Sequence, residues 1–282
     1  MLAMSFNDHP VVFRHGDDEL VGVVSLPEIV GETGLLVIVG GPQYRAGSHR
    51  QFVALCRCLA GNGVAAMRFD MRGMGDSSGE ARSFECIDDD IGAAIDAFFT
   101  RVPSLKRVVL WGLCAGASAS LLYWERRRDE RLAGLCLVNP WIRSEQTLAR
   151  ATLRHYYRRR LFEGAFWKKL FAARLQPRRV LSDLLDNLGR STRSPSGGEG
   201  EFQATMAEAL CHFDGRVLVI LSGNDMTGRE FAEACRSQPR WAAVARRENV
   251  RMCEIANADH TFSSAGWREQ AETLTLEWLS AP

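Results

Sequence analysis

Val108-Val-Leu-Trp-Gly-Leu-Cys-Ala-Gly-Ala117 reads as a buried strand, a sharp turn and the first residues of a helix. Apolar, β-favouring residues run up to Gly112, and Cys114 stands between two glycines in the pattern G-x-nucleophile-x-G. A nucleophile held in this way takes a strained backbone conformation, and a side chain at either flanking position would meet the neighbouring elements. Sulfur here occupies the place where oxygen is usual. A helix N-terminus and a nearby imidazole both favour the thiolate, so Cys114 is a candidate nucleophile rather than one more small buried hydrophobe.

Working outward, apolar runs alternate with helical spacing, the pattern of βα units on a parallel sheet. Strands are expected at Val11–His15, Leu20–Leu26, Leu35–Val39, Val64–Phe69, Arg107–Trp111, Leu132–Val138, Val217–Leu221 and Val250–Ile255. Helices are expected at Gln51–Ala60, Ile87–Val102, after Cys114, and at Trp267–Leu279. Residues 140–202 break the rhythm with a basic, aromatic, helical block and a Ser/Gly/Pro-rich tail, which reads as a helical lid inserted between late strands. The whole of 1–282 is expected to be one domain of the α/β-hydrolase fold, a mostly parallel central sheet flanked by helices.

On that fold the acid and then the histidine follow the nucleophile in chain order. Asp225 follows the strand Val217–Leu221 in Ser-Gly-Asn-Asp, and His260 follows Val250–Ile255 in Ala-Asn-Ala-Asp-His-Thr-Phe. His260 would exchange the proton of Cys114 and Asp225 would fix its tautomer. Asp259 is the competing acid, but it adjoins His260 in sequence and neighbouring side chains diverge. His155 falls in the lid and His212 precedes a strand. An oxyanion hole requires two backbone N–H groups. Ala115, immediately after the nucleophile, supplies one, and Gly41 in Gly40-Gly41-Pro42 is the better second donor because proline has none. Phe69-Asp-Met-Arg-Gly-Met-Gly-Asp-Ser77 is assigned to the scaffold, with Asp70 and Arg72 as a structural pair, and Arg45, His49 and Arg50 are taken as supports of the turn after Val39.

Composition bounds the function. Hydrophobic residues make up 46% and charged residues 24%, neither a disordered nor a membrane-spanning signature, and a net charge of +1 gives no argument for nucleic acid. The N-terminal MLAMSFNDHP lacks a basic stretch followed by an apolar run, so a cytoplasmic protein is expected. The eight cysteines carry no CxxC spacing and are expected to be reduced and mostly buried, with no metal and no cofactor. Charge is uneven. Between Arg150 and Arg179 ten Lys/Arg face Glu163 alone, which leaves 25 basic and 33 acidic residues in the remainder. A basic lid in which Arg158 and Arg159 interleave with Tyr156 and Trp167 is therefore a candidate donor-binding element. Membrane-surface contact through the same block is the lesser alternative.

Val39-Gly-Gly-Pro-Gln-Tyr-Arg-Ala-Gly-Ser-His-Arg-Gln-Phe52, Phe69–Ser77, Leu110-Trp-Gly-Leu-Cys114, Asn139-Pro-Trp-Ile-Arg143 and His155-Tyr-Tyr with Phe166-Trp-Lys-Lys169 together resemble the exosortase A system-associated hydrolase 1 family. That resemblance implies a bacterial cytoplasmic α/β-hydrolase linked to exopolysaccharide and protein-sorting loci. Against α/β-hydrolases in general, the chain departs at Cys114 and at Val39, where histidine often precedes the glycines. The chemistry these residues point to is acyl transfer from a thioester of coenzyme A or an acyl carrier protein through acyl-Cys114. Hydrolysis of small esters or lactones is the alternative enzyme reading, and a non-catalytic binding module of the same fold is the third.

Overall fold

The computed structural model describes residues 4–41, 43–142 and 201–281. The sheet and its helices belong to one compact unit, Met1–Ile142 with Phe202–Pro282. Most of the expected lid, with Tyr156, Arg158, Arg159 and Trp167, lies outside the described residues.

The chain opens with a hairpin of β1 (Phe6–His15) and β2 (Asp18–Pro27), whose register leaves the two-residue turn Gly16-Asp17. Gly16 sits at φ +62, the positive angle that such a short turn demands. Next come β3 (Thr33–Ile38), α1 (Gln51–Ala60), β4 (Ala66–Phe69), α2 (Asp88–Arg101), β5 (Arg107–Leu113), α3 (Ala115–Arg127) and β6 (Leu132–Val138). The second part supplies α4 (Glu201–His212), β7 (Arg216–Ser222), α5 (Met226–Ser237), α6 (Pro239–Ala245), β8 (Val250–Ile255) and α7 (Ala265–Ser280).

The eight strands form one sheet in the order β1-β2-β4-β3-β5-β6-β7-β8. The pairings β1/β2 and β2/β4 are antiparallel, and every pairing from β4/β3 to β7/β8 is parallel. Helices cover both faces, which is why the inner strands read as unbroken apolar runs rather than alternating ones. In β3, Leu36 and Ile38 enter one core with Met67, Phe98, Leu110 and Phe213, while Leu35 and Val37 enter the other with Phe52, Trp111, Cys136 and Trp278. No helix among the described residues is long and apolar enough to cross a membrane.

Two sequence expectations are corrected. Asp70 and Arg72 do not pair with each other. Asp70, whose side chain is fully buried, takes the Arg45 backbone N–H at 2.6 Å, the Asp76 N–H at 3.0 Å and the Arg45 guanidinium. Arg72 turns the other way and donates to Asp90 through its backbone N–H at 3.0 Å and Nε at 2.5 Å. Nor are the cysteines mostly buried. All eight are free thiols, but only Cys56, Cys136 and Cys235 are buried, and Cys86 and Cys211 are exposed.

Candidate active site

The parallel strands β3, β5, β6, β7 and β8 end on one edge of the sheet, and the turns that leave them carry every candidate residue within the described part. Cys114 occupies the turn from β5 to α3 at φ 56, ψ −120, a conformation that a non-glycine residue adopts only when its surroundings impose it. Three close approaches impose it. A Cβ on Gly112 would lie 2.4 Å from the Gly116 carbonyl, one on Gly116 would lie 2.2 Å from the Ile38 oxygen, and one on Gly40 would lie 2.1 Å from the Gly116 nitrogen. Strand β3, strand β5 and helix α3 thus converge where only glycine fits. The Cys114 N–H donates to Val138 O at 2.8 Å, while the Ala117 and Ser118 amides close onto Cys114 O at 3.0 and 3.2 Å. The Ala115 N–H is next in line after the sulfur, at the first residue of α3. Gly41, the other oxyanion candidate, sits at φ +67 on the loop that packs over the elbow, with nothing within 4 Å of where a Cβ would be.

Asp225 stands three residues beyond β7 and caps α5, its Oδ2 accepting the Gly228 N–H at 3.1 Å. The same oxygen lies 2.9 Å from Nδ1 of His260. Backbone bonds lock the two turns together: Gly223 N–H to Ile255 O at 3.0 Å, and Asn224 N–H to Ala258 O at 2.9 Å. The His260 ring also interacts with the Cys114 thiol, so it stands between acid and nucleophile. Its bond to Asp225, reinforced by the interaction with Cys114, outweighs partial burial and pushes the imidazole up to about 10. Burial pushes the Asp225 carboxyl up, but the His260 bond and the Gly228 and Thr227 amides prevail and hold it below its ordinary value. The rival carboxylate, Asp259, is turned away, accepting the Thr261 N–H at 3.1 Å, the Ser263 N–H at 3.0 Å and the Ser263 hydroxyl.

The loop after β3 supports this edge as expected in one respect. Arg45 ties it to Asp70 and, at 2.6 Å, to Asp76. His49 and Arg50 take left-handed backbone angles, φ 52 and 59, at the entrance to α1. Sequence reading assigned no role to Asn139 or Ser118. Asn139 is fully buried at φ 45 and holds Ser222, the last residue of β7, and Ser118 Oγ donates to Trp141 O at 2.7 Å. The signal available was Asn139-Pro140 directly after an apolar strand, a sharp exit that asparagine tolerates better than most residues. A groove of about 760 Å³ lies elsewhere, between β1 and α2, and none of the candidate residues lines it. Among the described residues no group of three or more His, Cys, Asp or Glu is placed to hold a metal ion.

Residues 33–227 match the family model described as Serine aminopeptidase, S33. The chain belongs to this hydrolase family. Its fold is that of the esterase Pf2001 from Pyrococcus furiosus, with a TM-score of 0.64 at 14% identity over 98% of this chain and 92% of that one. Est1E from Butyrivibrio proteoclasticus, solved with ferulic acid, aligns with a TM-score of 0.60 at 15% identity, covering 96% of this chain and 100% of that one. Dienelactone hydrolase from Anabaena variabilis aligns with a TM-score of 0.62 at 14% identity, covering 97% of each chain. At these identities the likeness is one of fold. No curated protein matches the chain.

Proposed function

We propose that the chain is a cysteine-nucleophile acyl hydrolase or acyltransferase that forms acyl-Cys114 from a thioester of coenzyme A or an acyl carrier protein. The observation that carries this reading is His260, whose Nδ1 lies 2.9 Å from Asp225 and whose ring interacts with the thiol of Cys114 at the elbow. In the proposed step Cys114 passes its thiol proton to His260 as its sulfur attacks the thioester carbonyl carbon, the carbon–sulfur bond of the donor breaks, and His260 gives that proton to the departing sulfur. Water or another acceptor then attacks acyl-Cys114, giving its proton to His260, and the carbon–sulfur bond to Cys114 breaks as the cysteine takes that proton back as the free thiol. The N–H groups of Ala115 and Gly41 would receive the oxyanion in both halves. Thiol-to-thioester exchange is close to balanced in energy, so a cysteine nucleophile loses little on loading.

The basic stretch between Arg150 and Arg179, whose sequence interleaves Arg158 and Arg159 with aromatics such as Tyr156 and Trp167, fits an anionic donor or an acidic carrier protein. The finer resemblance to the exosortase A system-associated hydrolase 1 family supports a cytoplasmic setting. Hydrolysis of small esters or lactones is the second reading, favoured by the shared fold with an esterase and a dienelactone hydrolase.

Intact-mass analysis after incubation with acetyl-, butyryl- and palmitoyl-coenzyme A, p-nitrophenyl acetate and a small lactone tests both. Donor-dependent mass added to Cys114 and lost in Cys114→Ala supports the thioester reading. Turnover of the ester or lactone alone supports the second, and no adduct or turnover with any donor overturns both.

A further inference from the structure

We infer that Asn139 is a positioning residue that ties the turn bearing Asp225 to the elbow bearing Cys114, an inference that rests on reading Cys114, His260 and Asp225 as the reacting set. The ladder between β6 and β7 ends at the pair Val138 and Ile220. Asn139 continues it by other means. Its backbone N–H donates to Ile220 O at 3.0 Å, its Oδ1 accepts the Ser222 N–H at 2.8 Å, and its Nδ2 donates to Ser222 Oγ at 2.9 Å. Side-chain amide thus stands in for the next residue of the strand, gripping Ser222 by both its backbone and its hydroxyl. Ser222 in turn accepts the Asp225 N–H on its carbonyl at 3.2 Å. Gly228, whose N–H holds the Asp225 carboxylate, packs so tightly on Asn139 that a Cβ there would lie 2.8 Å from Oδ1.

The other end of the bracket reaches the nucleophile. Val138, the residue before Asn139, accepts the Cys114 N–H at 2.8 Å, and Trp141, two residues after it, accepts Ser118 Oγ from the elbow helix at 2.7 Å. Four residues, Val138–Trp141, therefore touch both the nucleophile's turn and the acid's turn. Asn139 and Ser222 are buried, so water cannot replace a lost partner without reorganisation. The left-handed backbone at Asn139, φ 45, is also accounted for: it is what turns the side-chain amide back alongside β7.

The experiment uses Asn139→Gly and Ser222→Ala in the full chain. Glycine keeps the left-handed backbone without strain, so it removes only the side-chain bonds. Ser222→Ala removes the hydroxyl's bond and leaves the Ser222 N–H on Asn139. Two readouts need no acyl donor: the NMR titration midpoint of the His260 ring, and the rate of iodoacetamide labelling at Cys114 with exposed Cys86 as internal standard. In folded Asn139→Gly the His260 midpoint falls from about 10 by about a unit or more, and labelling of Cys114 relative to Cys86 falls about tenfold. Ser222→Ala shifts both in the same direction by less, and decides the matter if Asn139→Gly does not fold. A lower melting temperature with an unchanged midpoint and rate would make Asn139 a merely structural residue and overturn the inference. A chain that forms no acyl-Cys114 with any donor overturns the proposed reaction, while these two readouts still judge the bracket.

Discussion

Asp225→Asn isolates the bond between the acid and the imidazole, because asparagine can still cap α5 through the Gly228 N–H and is as good a helix cap as aspartate. What it loses is the carboxylate that stabilises a charged ring. The rise of His260 from 6.5 to about 10 would correspond to roughly 5 kcal/mol in a fully buried ring. The side chain is 34% exposed, and part of the rise comes from Cys114 and survives the substitution. Solvent screening and that division reduce the expected loss to about 2 kcal/mol.

Its pH dependence carries the sign. The folded ring titrates above the unfolded one, so the stabilisation is complete below pH 6.5 and is lost as pH rises through about 10, where the folded ring also becomes neutral. Thermal melts of Asp225→Asn should therefore fall short of wild type by about 4 to 8 °C near pH 6, with the gap closing toward pH 10.5. Asp259→Asn serves as the control, since its carboxylate bonds Thr261 and Ser263 rather than the ring. A gap that stays constant across the range, or that widens toward alkaline pH, would refute the argument that Asp225 stabilises an imidazolium.

Stoichiometric iodoacetamide at neutral pH should label Cys114 first, ahead of exposed Cys86 and Cys211, because it sits at the elbow before α3 and interacts with the His260 ring; peptide mapping that finds another thiol labelled first removes its assignment as nucleophile. Burial pushes the Cys56 thiol up to about 12 and Cys235 up to about 11, so both should stay unlabelled in the folded protein. Arg45→Ala leaves the buried Asp70 carboxylate without its guanidinium and should cost about 3 kcal/mol in urea melts, whereas Arg50→Ala should stay within about 0.5 kcal/mol. Gly116→Ala drives a Cβ into the Ile38 carbonyl and should cost about 2–3 kcal/mol, while Gly41→Ala, with open space around it, should cost about 1 kcal/mol for its left-handed backbone; equal melts for the two would contradict the packing of β3 against the elbow.

Those elements whose signal is local were legible in the sequence. Helix α1 and strand β8 fall where spacing places them, Gln51–Ala60 and Val250–Ile255, and the elbow's two glycines disclosed its strand-turn-helix context. Helix α5 was not foreseen. Its N-cap is Asp225 itself, and a residue singled out for chemistry hid its second role as the start of a helix. The Asp70 and Arg72 pairing failed for a different reason. Both residues lie just beyond β4, in the turn that follows Phe69, and the true partners, Arg45 and Asp90, are brought in by the loop after β3, which pairs in parallel with β4, and by α2. Asn139 escaped because its importance lies wholly in a contact 83 residues away in sequence.

Sulfur at the elbow changes what the surrounding residues have to accomplish. In a serine hydrolase the histidine must first remove a proton from a hydroxyl, so the imidazolium and its partnership with the acid matter only as charge develops. Here the bond to Asp225, with a contribution from Cys114, favours the imidazolium already in the resting site. The remaining demand is protonation of the leaving group, which a ring titrating near 10 meets poorly for an amine and needs to meet only weakly for a thiol. A peptide's nitrogen departs only as it is protonated, whereas the sulfur of a thioester can depart as an anion and collect its proton afterwards. The aminopeptidase chemistry in the family's name would therefore ask more of the His260 ring than the proposed cleavage of a thioester, which would use the sulfur, the raised imidazole and the Ala115 amide together at the sheet edge.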